Sequence, residues 1–390
     1  MPQIKKILIL EQYSYSFFTL MVFSLSSYLY DIESIGELSL IIVLSSSWYS
    51  IFEQSFFYQY LRNKQEIPID KKCQLLNTQL IIFIIIGLIF FLTILPFLIP
   101  YEIDLLNTHF VLYFGSCVLF EHVRKILIAH DYGVNILLRS VLRIVPLIFC
   151  IIISWLSFIP KIETLIFALG TWNLVVAMLH LPKPIRKLSF KITEIIVDTK
   201  SKLLACRFLS LSVIIDNISN LMVNIILTRL NGLAWIAAFR IYQNIFGIIN
   251  PIIQFVFLEY FKSHKQTGYN TTYKLLCFSG FIFIGLFFVF DDLLVYIFSD
   301  QVKFNYYFFV VFTFVYLVII AVNHRKYLVI IETNGRLMFV ASIINSMVMF
   351  ITLIADNFFS FLPSNHWILL WASLSLVKLL ILSPVVKRVR

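Results

Sequence analysis

Four basic residues fall inside runs that are otherwise apolar: Arg139, Arg143, Arg240 and Lys378. A charge at the centre of a membrane-spanning helix costs about 2.5–3.5 kcal/mol on insertion scales, and its retention normally marks a pathway or a partner. Arg139 and Arg143 stand four residues apart, so they share one helix face and repel each other. An anion held between them would relieve that repulsion. The plainer alternative for Arg139, Arg143 and Lys378 is that each long stem snorkels to the membrane surface. For Arg240 the plainer alternative is an ion pair with Asp216.

A second set is polar rather than cationic. Ser212, Asp216, Asn220 and Asn224 recur every four residues, which draws a stripe winding only slowly about a helix. Such a stripe should face a wet lumen or another helix, not lipid. Gln12, Ser16 and Thr19 mark one earlier run; Ser46, Ser50, Glu53 and Gln54 mark the next. Gln243, Asn250 and Gln254 follow the stripe. Lining of a shared cavity explains the set as a whole, whereas packing between helices accounts for most of the Ser and Thr residues.

These residues need a scaffold that lives in lipid. Of 390 residues, 60% are apolar and 13% charged, against roughly 45–50% and a quarter in ordinary soluble domains. With 40 Phe and a mean hydropathy of +0.90, the chain has far more apolar surface than a water-soluble globule can bury, which excludes a soluble enzyme. A spanning helix needs about 20 apolar residues. Apolar runs bounded by charges, Pro, Asn or Gly predict spans at about 7–30, 35–60, 75–99, 104–128, 134–157, 162–182, 205–229, 233–260, 272–299, 303–328, 335–356 and 364–386.

The connections between these spans alternate in charge. Of the 31 Lys and Arg residues, 24 fall at the N-terminus, in every second connection (Arg124 and Lys125 among them) and in the tail. The opposite connections carry only Lys161, Arg229 and Lys303, together with acidic residues such as Asp31, Glu33, Asp291 and Asp292. By the positive-inside rule both termini are expected in the cytoplasm, so the number of spans is even and twelve fits. The net charge of +10 therefore reports topology, and no nucleic-acid partner is expected. Lys5 and Lys6 precede an apolar run without a small-residue cleavage site, so the first span is expected to stay as an anchor. The five cysteines form no CxxC pair and are expected to be apolar filler; no cofactor or metal is implied.

The longest polar connection, 183–204, lies at the midpoint and divides the chain into expected six-helix bundles over 1–182 and 205–390, with a cytoplasmic linker between them. A shift of 201 residues lays Leu20-Met21-Val22 on Leu221-Met222-Val223 and Arg124-Lys125 on Arg325-Lys326. A duplication of this kind relates two bundles by an axis along the membrane normal and leaves a central cavity where they meet. The expected fold is an all-α polytopic membrane protein of about twelve transmembrane helices.

The run Asp216-Asn217-Ile218-Ser219-Asn220, through Ile226-Leu227-Thr228-Arg229-Leu230-Asn231-Gly232 to Phe239-Arg240-Ile241-Tyr242, resembles the seventh and eighth helices of Wzx-type polysaccharide (O-antigen or capsule) flippases. These belong to the multidrug/oligosaccharidyl-lipid/polysaccharide exporter (MOP) superfamily. The segment from Ser16 through Tyr28-Leu29-Tyr30 to Ile35-Gly36-Glu37-Leu38-Ser39-Leu40 is similar to the matching first-half hairpin, although Tyr30-Asp31 stands where those flippases usually carry an Arg. The resemblance implies movement of an undecaprenyl-diphosphate-linked oligosaccharide repeat unit between leaflets of the bacterial inner membrane. Arg suits a diphosphate because it donates two parallel hydrogen bonds to phosphate. On this basis Arg240, Arg143 and Arg139 are expected to bind the diphosphate, and Asn220, Asn224, Gln243 and Asn250 the sugar. Asp216 and Glu53 are candidates for coupling to an ion or for pairing with those arginines. Expected partners are the lipid-linked glycan, membrane lipid, and a polysaccharide polymerase with its chain-length protein.

Other classes fit less well. Asp31-Ile32-Glu33 has the D-x-E form of polyprenyl-phosphate-dependent glycosyltransferases, but those need a long first outer loop, and this one is a few residues. A polymerase needs one large outer loop, while the longest loop here is on the Lys/Arg-rich side. No HxxH, HExxH, GxSxG or GxxxxGK[ST] pattern occurs, so the chain is not expected to be an enzyme. A multidrug and toxin exporter of the same superfamily is the rival within transport; three arginines in the spans suit it less than an acidic cavity would. A non-transporting scaffold for sugar assembly is the remaining class.

Overall fold

A computed structural model describes residues 2–57, 60, 69–98, 108–129, 138–139, 141–155, 161–179, 191–205, 207–231, 233–247, 278, 298, 310–319, 321–322, 335–359, 376–378 and 380–382. The regular structure among the described residues is entirely helical. By proximity the chain forms two compact units, one of Met1–Ile35 with Ala237–Arg390 and one of Gly36–Ile236. The division at 183–204 rests on the charge pattern alone.

The helices are α1 (Pro2–Leu29), α2 (Ile32–Phe52, continued by a π-helical segment Glu53–Phe57), α3 (Ile69–Leu98), α4 (Thr108–Ala129), α5 (Val145–Trp155) and α6 (Ile162–Leu179). After these come α7 (Ile192–Ala205), α8 (Arg207–Asn231), α9 (Leu233–Gly247), α10 (Val310–Ile319) and α11 (Arg336–Phe359). Three described stretches are long and apolar enough to cross a bilayer unaided: Ile32–Phe57, Cys73–Thr93 and Ile162–Leu179. The described helices α1 to α6 and α8 to α11 overlap expected spans, while other expected spans lie wholly or partly outside the described residues.

Asp31 shows how a helix start is written locally. Its carboxylate accepts from the backbone N–H of Ser34 at 2.7 Å, and its carbonyl accepts from Ile35 at 3.2 Å, so Asp31 is the N-cap of α2. Glu33 follows in the first turn, where the helix dipole favours an acid. The D-x-E sequence therefore opens a helix.

One expectation about an element is corrected. The span drawn unbroken over 134–157 is interrupted: Arg143 and Ile144 form a turn, and α5 begins only at Val145. Pro146 is the cause, since it has no N–H to give to the carbonyl of Leu142 four residues back. The Trp172 indole N–H of α6 donates to that freed carbonyl at 2.6 Å. The connection 183–204, expected as a polar linker, contains most of the helix Ile192–Ala205.

Inside the unit Gly36–Ile236, α4 packs closely along α6. Gly170 permits the approach, as a Cβ there would lie 3.0 Å from the Tyr113 Cα. Between α2 and α3, Trp48 stacks on Phe83 at 4.6 Å and donates to the Phe83 carbonyl at 2.9 Å. In the other unit, Phe312 of α10 packs against Phe239, Tyr242 and Phe246 of α9 at 5.2–5.9 Å between ring centres. The start of α11 joins a core of Val318, Val322, Met338, Ala341 and Leu382.

Candidate functional site

Arg240 lies on α9, half-buried, and its guanidinium donates to the Gln243 side-chain oxygen at 2.6 Å. Two residues expected to share one substrate, a phosphate-binding Arg and a sugar-binding Gln, are thus joined three residues apart on one helix face. The Gln243 carbonyl accepts from the Tyr316 hydroxyl at 3.0 Å, and the aromatic cluster around Phe312 backs the same helix. A planar cation with an amide beside it can hold an anionic group, while the rings are buried in packing between α9 and α10. Asn250 and Gln254 lie outside the described residues. Lys378 is half-buried in a helical segment of the same unit.

The expected stripe on α8 is only partly uniform. Ser212 is buried, Asp216 half-buried and Asn220 exposed. The Asn224 amide donates to the Asn220 carbonyl at 2.8 Å, so the last step of the stripe is occupied along its own helix. Asp216 belongs to the unit Gly36–Ile236 and Arg240 to the other.

Arg139 and Arg143 share a different environment. They are 1% and 5% exposed, which places both guanidiniums inside protein rather than at the end of a stem reaching water. The aromatic ring of Phe120 on α4 receives both, with guanidinium carbons 3.9 Å and 4.2 Å from its centre. Arg139 also donates to the Phe120 carbonyl, and Arg143 to the Asn173 side-chain oxygen of α6 at 3.3 Å. An aromatic face and two neutral acceptors sit against the pair. Cation–π contacts are worth more when desolvated, about 2 kcal/mol or more.

Further along α4 lies a charged network that the sequence reading did not single out. Arg124 and Lys125, counted from sequence as flanking charges of a connection, sit within α4 at 3% and 7% exposure. Lys125 meets Glu53 of the π-helical segment at 2.6 Å, and Arg124 meets Glu121 at 3.0 Å. His122 and the Asn77 side-chain oxygen of α3 are 2.9 Å apart. Such π segments frequently mark functional positions, and here one aims an acid at a buried cation. A signal was present in the sequence: Glu121, His122, Arg124 and Lys125 crowd into five positions of an otherwise apolar helix. Phe120, Asn173 and Trp172 gave none.

No protein-family model and no curated sequence matches the chain. Solved structures do. An inward-facing multidrug resistance MATE family transporter of the MOP superfamily is similar over 96% of this chain and 94% of its own, with a TM-score of 0.64 and 14% identity. The MATE multidrug transporter DinF-BH is similar over 100% and 94%, with a TM-score of 0.61 and 15% identity. A MOP-superfamily transporter from Pyrococcus furiosus, described with a binding pocket of reversed polarity and a suggested different function, gives 0.61 over 99% and 94% at 14% identity. At such identities the likeness carries the fold: the chain is an all-α polytopic membrane protein with the about twelve-helix architecture of these transporters.

Proposed function

We propose that the chain is an exporter of the MOP type, moving an amphipathic organic substrate across the membrane by alternating access, with no covalent chemistry of its own. The observation that carries this is the likeness to MATE transporters along essentially the whole chain. Among substrates, the class named for those neighbours, small multidrug-type compounds, is the reading that likeness favours. Both termini are proposed to be cytoplasmic and the membrane to be the bacterial inner membrane, on the strength of the Lys/Arg asymmetry.

One observation favours a second reading, a flippase for polyprenyl-diphosphate-linked glycans. Arg240 with the Gln243 amide beside it suits a phosphate followed by sugar better than it suits a cationic drug. The Pyrococcus furiosus neighbour is consistent with a fold that accommodates pockets of opposite polarity. On this reading a polymerase and its chain-length protein are the proposed partners, Arg240 holds the diphosphate, and Gln243 beside it meets sugar.

Deleting the gene separates the two. Loss of efflux of a fluorescent organic cation, with unchanged surface polysaccharide, supports the multidrug reading. Lipid-linked repeat units trapped on the cytoplasmic leaflet support the flippase. Unpolymerised units accumulating outside would overturn both in favour of a polymerase, and loss of a single sugar would overturn both in favour of a glycosyltransferase.

A further inference from the structure

Helix α7 has 14 residues, about 21 Å at 1.5 Å per residue, too short for the roughly 30 Å hydrocarbon core. It turns by 84° into the first part of α8. For an α8 that crosses the bilayer, as its expected span 205–229 has it, a turn of this size lays α7 close to the membrane plane. One side of α7 is fastened to protein. Gln79 of α3 donates to Asp198 at 2.9 Å and to Thr199 at 2.8 Å, and accepts from Lys202 at 3.2 Å; Lys202 also meets Asp198 at 2.6 Å. Ile195 is buried on that side.

The opposite side is apolar and uncovered. Ile192, Ile196, Val197 and Leu204 are 69%, 59%, 68% and 57% exposed, and at 100° per residue they fall on a single broad face with Leu203. Lys200, exposed, stands in the middle of that face, and the exposed Arg207 follows the helix. The depth is set by α3: just past Gln79, the exposed residues Ile81, Ile82, Ile85, Ile86 and Ile89 form its lipid-facing belt. The Gln79 anchor therefore holds α7 at the edge of that belt, on the Lys/Arg-rich side of the chain.

We propose that α7 is an in-plane interfacial helix that seats its Ile192, Ile196, Val197, Leu203 and Leu204 face in the inner leaflet, with Lys200 and Arg207 contacting anionic lipid headgroups. An amphipathic helix of this composition binds by burying apolar area and by attraction to anionic lipid. The segment supports the charge argument beyond α7, since Lys183, Arg186, Lys187 and Lys191 precede it in sequence. Protein cover, from a second copy or another partner, is the competing occupant.

The test uses the full chain in vesicles, its five native cysteines replaced by alanine or serine, carrying one nitroxide label at Ile196→Cys or Ser201→Cys. The label at 196 is expected to collide with oxygen more than with a water-soluble nickel chelate, and the label at 201 the reverse. A label at 196 as open to the chelate as that at 201 would place the face in water and overturn the proposal. Shelter from both reagents would show protein cover and overturn it equally. The unsubstituted chain supplies the lipid-charge arm by hydrogen exchange. Slower exchange of 192–205 in phosphatidylglycerol-containing vesicles than in pure phosphatidylcholine is expected, with the difference lost in Lys200→Glu; equal exchange in both lipids would overturn the headgroup contact.

Discussion

Lys125 on α4 and Glu53 in the π-helical segment after α2 form an ion pair of 2.6 Å, their side chains 8% and 14% exposed. Taking one partner away from such a pair leaves a buried charge uncompensated, which costs about 3–5 kcal/mol, whereas removing both together is often close to neutral. Lys125→Met should therefore lower the melting temperature of the purified protein markedly. Glu53→Gln with Lys125→Met should recover most of the loss. Thermal unfolding of the three proteins in one detergent measures it, and an unchanged melting temperature in Lys125→Met would show that Glu53 does not depend on Lys125 for its charge balance.

The same pair shows where sequence stops being informative. Composition, span length and charge alternation expose the fold class because they depend on the solvent, and lipid acts on every residue alike. Arg240 and Gln243 were also recoverable, since three residues apart on a helix means neighbours. Lys125 and Glu53 are 72 positions apart, and nothing local distinguishes a Lys that ends a span from one buried inside it. Arg139 and Arg143 were visible as anomalies, but their partner is Phe120, one of 40 phenylalanines, and only packing of α4 selects it. The break at Pro146 was not drawn from sequence, and that Trp172 takes the freed carbonyl depends on how α6 lies beside it.

That indole contact gives a second prediction. Trp172→Phe keeps an aromatic ring, though a smaller one, and removes the donor, leaving the Leu142 carbonyl without it, at a cost of about 1–3 kcal/mol. Pro146→Ala restores a backbone N–H four residues after Leu142, so the Trp172 substitution should cost much less in that background. A double-mutant cycle on melting temperature reads the coupling. Additive effects would mean that the two groups do not compete for one carbonyl.

Gly36, in the first turns of α2, is in close contact with Leu233 at the start of α9. A Cβ built on Gly36 runs into the Leu233 carbonyl oxygen and Cβ. Only hydrogen fits there, so Gly36→Ala must move the two helix ends apart and Gly36→Leu must move them further. Reactivity of Leu233→Cys toward a membrane-impermeant maleimide, in a chain lacking its native cysteines, should rise in the order Gly, Ala, Leu at position 36. Equal reactivity in all three would mean that the chain relaxes without parting this contact.

Arg240 decides between the two substrate readings. If it holds a diphosphate, two properties matter, its positive charge and its paired donors, and Lys retains only the first. Glycan export should then fall severely in Arg240→Ala and partially in Arg240→Lys, with Gln243→Ala milder because it removes an orienting acceptor. Were the substrate an organic cation, Arg240→Ala would instead remove a like charge, and efflux of that cation should hold steady or improve. Both readouts are needed on each variant: accumulation of lipid-linked repeat units in cells, and cation efflux from loaded vesicles. Loss of both activities in Arg240→Ala, accompanied by a lower melting temperature, would assign Arg240 to packing of α9 against α10 and leave the substrate to other residues.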